Sequence, residues 1–180
     1  NSTACFELLR DAGANLEASN SLGYRPLHFA AFFGVVRLLS LLVHGGVNVD
    51  AKNLGNSTAL HIAAEKRATD CVEVLLAAGA DIDVRNPVGT PFEVALDVGY
   101  RRTWPYHRTW PLFLRAGAEL PNPDPAVWPP GYLGRVIAAG GFQRYAQNHI
   151  VRIASILETP LLPPELVRKV LEYWLHAGYY

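Results

Sequence analysis

The string Leu27-His28-Phe29-Ala30-Ala31 returns as Leu60-His61-Ile62-Ala63-Ala64, 33 residues further along the chain. The same step carries Gly13 to Gly46 to Gly79, and Ala18 to Ala51 to Val84. A fixed period of this length points away from one closed core and towards a row of like units, each completed by its neighbour. Such a row grows by addition, so the 180-residue length sets no ceiling on it.

Inside one period, Gly23-Tyr24-Arg25-Pro26-Leu27-His28 reads as a turn followed by a helix start. Leu38-Leu39-Ser40-Leu41-Leu42-Val43-His44-Gly45-Gly46 reads as a second helix with its stop. The next copy runs Thr58-Ala59-Leu60-His61, then Val72 to Asp81. These residues resemble the ankyrin repeat, with Arg25 standing for the Thr of its T-P-L-H core. The resemblance implies an all-α ankyrin-repeat solenoid: helix-turn-helix repeats joined by β-turn or hairpin loops, here with a C-terminal helical cap. Ala30-Ala31 and Ala63-Ala64 are small enough for close approach of the first helices, and the leucines of the second helices fill the space between layers. Gly46 and Gly79 can end those helices in a left-handed conformation. His28 and His61 share a place, as two metal ligands could, but the resemblance implies that they hydrogen-bond turn backbone instead.

The period divides residues 1–120 into a partial first repeat (1–18) and repeats at about 20–51, 53–84 and 86–119. Residues 4–10 read as a second helix without its partner, so the chain is expected to continue upstream of Asn1. Asn56 and Arg67 stand where glycine takes positive φ, which strains the Arg67 turn. In the fourth repeat the turn is one residue short and Glu93 replaces the histidine. Arg102-Thr103-Trp104-Pro105 recurs as Arg108-Thr109-Trp110-Pro111, a six-residue duplication near 104–110 that lengthens the interhelical loop. Pro111 then falls near a helix start. Residues 121–131 form a proline-rich linker, with Trp128 placed to pin it to the last repeat. Residues 132–180 form a helical extension, with Phe142, Tyr145, His149, Ile153 and Ile156 making an apolar stripe.

Net charge is zero overall, but residues 1–100 hold 7 Lys/Arg against 11 Asp/Glu, leaving 9 against 5 for the rest. That asymmetry is too mild to argue nucleic-acid binding. No apolar run approaches the length of a membrane span. Cys5, Leu38 and Cys71 succeed one another at the 33-residue step, as occupants of one core position. Two buried thiols too far apart to bridge suit a reducing, intracellular compartment such as the cytoplasm, with an organelle left open.

The sequence carries no phosphate-binding glycine loop, metal-spaced Cys/His set or nucleophile motif, so neither catalysis nor a cofactor or small-molecule substrate is expected. The resemblance instead implies a scaffold that binds another protein through its concave side. Carried over by position, that surface is Leu22, Tyr24, Phe29, Phe32 and Phe33 in the second repeat. It continues as Leu54, Ile62, Glu65 and Lys66 in the third, and Val88, Val94, Asp97 and Val98 in the fourth. Three phenylalanines at such places mark either a partner or a covering segment of the chain itself. A second candidate is the loop of Arg101, Arg102, Trp104, Tyr106, His107, Arg108 and Trp110, whose cations and flat rings suit single-stranded nucleic acid or phosphate. The alternative there is an insertion with its tryptophans tucked against helices. A third candidate is the tail from Leu161 to Leu175, which resembles the first helix of an F-box and the end of a SOCS box. It implies docking to a ubiquitin ligase; packing of that helix onto the array is the other reading.

Overall fold

The computed structural model describes residues 2–101 and 109–119 and, further on, residues 135–136, 138–141, 143–145 and 147–148. The chain divides into two units, Asn1–Ala118 and Glu119–Tyr180.

In the first unit, α1 (Ser2–Asp11) is followed by two paired helices per repeat. These are α2 (Pro26–Phe32) with α3 (Val36–His44), α4 (Ala59–Lys66) with α5 (Thr69–Ala77), and α6 (Pro91–Arg101) with α7 (Thr109–Arg115). Two rows result: α2, α4 and α6 lie side by side, and α1, α3, α5 and α7 form the second row against them. No strand occurs among the described residues.

Each helix starts and stops for a local reason. Pro26 opens α2 behind an extended Arg25, and Pro91 opens α6, positions where the missing N–H removes no intrahelical bond. The second-row helices end on Gly46, Gly79 and Gly117, all at positive φ. Their carbonyls are then closed by Val47, Ala80 and Ala118, whose N–H groups reach back to Leu42, Leu75 and Phe113. Asn56 (φ 57°) and Arg67 (φ 59°) adopt the left-handed conformation expected from their register. The turn of the fourth repeat is indeed one residue shorter: Asn20 N–H reaches the Tyr24 carbonyl and Asn53 that of Ser57, but Asn86 closes on Gly89. The histidine register of that repeat holds Glu93, which accepts the Thr90 N–H at 2.7 Å while Glu93 N–H donates to Thr90 Oγ1 at 3.2 Å. This reciprocal pair is a capping box.

The interior is built from positions that repeat. Leu27, Leu60 and Phe92 are buried in the first row; Phe6, Leu39 and Val72, with Leu42, Leu75 and Phe113, are buried in the second. In the last repeat Phe92 and Phe113 stack with centroids 5.6 Å apart, two rings where earlier layers use leucines. The alanine pairs are buried, as their role in close helix approach requires.

One sequence expectation needs correction. Leu38 is only half-buried, so it does not share the fully buried place of Cys71; the interior face of α3 is narrower and centres on Leu39 and Leu42. The Cys5 side chain lies outside the described residues. The inner helix of the fourth repeat runs on to Arg101. Gly99 occupies the register of Gly34 and Arg67 but remains helical. The chain therefore does not reverse at Gly99, and α6 continues past that register.

In the second unit, helical turns at 135–136 and 143–145 flank Gly140 and Gly141, both at positive φ. Tyr145 of the proposed stripe is buried, while Phe142, His149, Ile153 and Ile156 lie outside the described residues, as do the linker and the tail from Leu161 to Leu175.

Candidate functional site

The turn tips and the exposed side of the first-row helices carry the candidate residues. Each tip is shaped by an asparagine whose side-chain oxygen accepts N–H groups ahead of it. Asn20 holds Leu22 and Tyr24, Asn53 holds Gly55 and Ser57, and Asn86 holds Val88 and Gly89, all at 2.9–3.0 Å. With the backbone so fixed, Leu22 (60% exposed), Leu54 (76%) and Val88 (62%) project their apolar side chains into solvent. Leu54 N–H donates to the Leu22 carbonyl at 3.1 Å, which joins the first two tips directly.

Phe29, Phe32 and Phe33 follow on α2, exposed by 41%, 44% and 70%. Their rings form contacts rather than standing alone. Tyr24 packs on Phe29 at 5.7 Å, Phe32 meets Phe33 edge-on at 5.1 Å, and Lys66 Nζ from α4 lies 4.4 Å from the centre of the Phe32 ring. Lys66 also pairs with Glu65 at 3.1 Å; both are exposed, so that pair contributes little to stability.

The remaining expected site residues are placed differently. Ile62 and Val94 are buried and offer no side chain to a partner. Both share the register of Phe29, but α4 and α6 each follow another first-row helix, whereas α2 follows none among the described residues. The side chains of Asp97, Val98 and Arg101 lie outside the described residues, as do Arg102, Trp104, Tyr106, His107 and Arg108. Trp110 is described: it is half-buried and its indole N–H donates to the Ala95 carbonyl of α6 at 3.3 Å. That contact fits a ring tucked against the repeat.

His28 and His61 do not offer metal-binding lone pairs. His28 Nδ1 accepts the Arg25 N–H at 3.0 Å, and its Nε2 faces the Ser57 carbonyl at 3.2 Å. His61 Nδ1 faces Thr58 N–H at 3.2 Å and Thr58 Oγ1 at 2.9 Å, with Nε2 on the Gly89 carbonyl at 3.1 Å. Burial is the main cause that holds both imidazoles below their usual pKa. Cys71 is likewise buried, which pushes its thiol up and leaves it inert.

One link was not foreseen, although Arg25 in place of threonine was its signal. The Arg25 guanidinium pairs with Glu17 of the preceding repeat, and the other Glu17 oxygen accepts the Asn48 N–H at 2.6 Å. Burial opposes the Glu17 charge, but the Asn48 N–H and then Arg25 hold its carboxyl below the usual value.

Among the described residues no helix is long and apolar enough to cross a membrane. Residues 1–86 match the family model of ankyrin repeats, in three copies. No curated protein matches the chain. Ankyrin repeats are generally protein–protein interaction modules and are typically non-catalytic. With the 33-residue period, the paired helices and the matched segment in agreement, residues 1–86 are ankyrin repeats.

Proposed function

We propose that this protein is a non-catalytic recognition module that seats an apolar segment of another protein across its turn tips and the aromatic side of α2. The observation that carries this reading is the run of exposed apolar side chains Leu22, Leu54, Val88, Phe32 and Phe33 on a backbone fixed by asparagine caps. Polar residues at these places would cost the fold nothing. Full burial of a phenylalanine contributes about 1.5–3 kcal/mol, and Phe33 has most of that still to gain. A few such anchors carry most of the energy in an interface, and the ring pair Phe32–Phe33 is the natural centre of this one.

The test is selection of random displayed peptides against the full chain. Enriched peptides are expected to share two or more large apolar residues and to compete with one another for one site. Enrichment no greater than on a Leu22→Ser/Phe33→Ser variant, or peptides dominated by charge without apolar anchors, would overturn the reading.

A further inference from the structure

The tips that present Leu54 and Val88 are held by the histidine of the preceding repeat. Because His28 Nδ1 accepts the Arg25 N–H, the ring proton is on Nε2, which therefore donates to the Ser57 carbonyl. That carbonyl also accepts the Asn53 N–H at 3.1 Å and closes the tip bearing Leu54. His61 repeats the arrangement: Nδ1 faces Thr58, and Nε2–H donates to the Gly89 carbonyl, which also accepts Asn86 N–H at 3.0 Å and closes the tip bearing Val88. Protonating either ring at Nδ1 would set a donor against a donor at the helix start. The charged groups facing His28 are Arg25 and Glu17, of opposite sign, and the Tyr24 ring meets its edge; the charged group facing His61 is Lys52. None of these compensates for bringing a cation into so buried a place.

We propose that His28 and His61 are acid-sensitive pins: each fixes the apolar tip of the following repeat, so that acidification frees Leu54 and Val88 from the recognition surface. This regulation rests on the reading of that surface given above. The direction follows from linkage. A histidine freed by opening of its tip takes up a proton at its ordinary value of 6.5, whereas burial holds the closed form below it. Tip closure is therefore strongest above that pH and is lost as pH falls towards the lower, folded value. The open-to-closed ratio rises by up to about tenfold per pH unit for each histidine. Glu93 marks where the series stops. It keeps the cap on Thr90 and pairs with Arg85 at 2.8 Å, but a carboxylate has no N–H to give a following tip.

Amide hydrogen exchange on the full chain, corrected for intrinsic rates, tests the pins without any partner. Protection of Leu54 and Gly89 N–H is expected to fall by up to about tenfold per unit as the pH is lowered from about 6.5 towards the folded value. His61→Gln keeps a capping-box side chain at Thr58 without a titrating group, so it should flatten the response at Gly89 and leave that at Leu54. His28→Gln should do the reverse. Protection that does not vary with pH, or both tips responding alike to either substitution, would overturn the proposal. Should a glutamine variant fail to fold, imidazole nitrogen shifts of the unaltered chain decide: charged rings beneath fully protected tips would refute it. The affinity of an apolar peptide selected as above should weaken over the same range. If no peptide binds at any pH, the recognition reading fails while the exchange result still judges the pins.

Discussion

Replacing Leu60 by alanine is expected to lower the unfolding free energy by about 2–5 kcal/mol. Leu60 is fully buried on α4, the helix with first-row neighbours on both sides. Removing its isobutyl group loses the transfer energy of the apolar carbons and leaves a void between α2 and α6 that a backbone tied by tip hydrogen bonds closes poorly. In a row of repeats stability is a sum of unit and interface terms, and a central defect weakens two interfaces at once. Whole domains have about 5–15 kcal/mol in total, so the variant is expected to unfold at a markedly lower urea midpoint, or in two steps as the flanking repeats separate. An unchanged midpoint would mean that Leu60 does not join the layers.

Gly23→Ala is expected to cost about 2–4 kcal/mol, for two reasons that add. Gly23 sits at φ +76°, a region that costs other residues energy. A Cβ there would also stand 2.9 Å from Leu54 N and 3.2 Å from Asn53 Cα. Both are backbone atoms, so no rotamer change relieves the clash; the second tip must retreat and strain the Leu54 N–H bond to Leu22. Gly46→Ala separates the two causes. Gly46 has φ +77° but nothing within 4 Å of its would-be Cβ, so only the conformational cost of about 1 kcal/mol applies. Equal urea midpoints for the two variants would show that the close approach at Gly23 contributes nothing.

The fold was legible because its determinants are local and recur. A histidine three residues past a helix N-cap, a glycine at each helix stop and an alanine pair at each close approach announce themselves at a fixed interval. Asn56 and Arg67 could be assigned positive φ because glycine holds that conformation at the matching places. Exposure was less legible, since register states which way a side chain points and not what lies over it. Phe29, Ile62 and Val94 share one register, yet only Phe29 is exposed. Leu22, Leu54, Val88 and Phe33 are exposed by the turns and the helix end that carry them. The course of α6 was obscured for another reason. A duplication interrupts the period just beyond Gly99, and the helix runs past the register of Gly34 and Arg67.

The most direct measurement compares the folding and the peptide affinity of one variant, Leu22→Ala/Phe33→Ala. Both side chains are largely exposed, so the melting temperature should scarcely move, within about 0.5 kcal/mol of stability for each change. Affinity for a selected apolar peptide should fall by about tenfold or more, as expected for loss of a central aromatic anchor. A marked fall in melting temperature with affinity retained would contradict the account, because those side chains would then serve the repeat stack and not a guest.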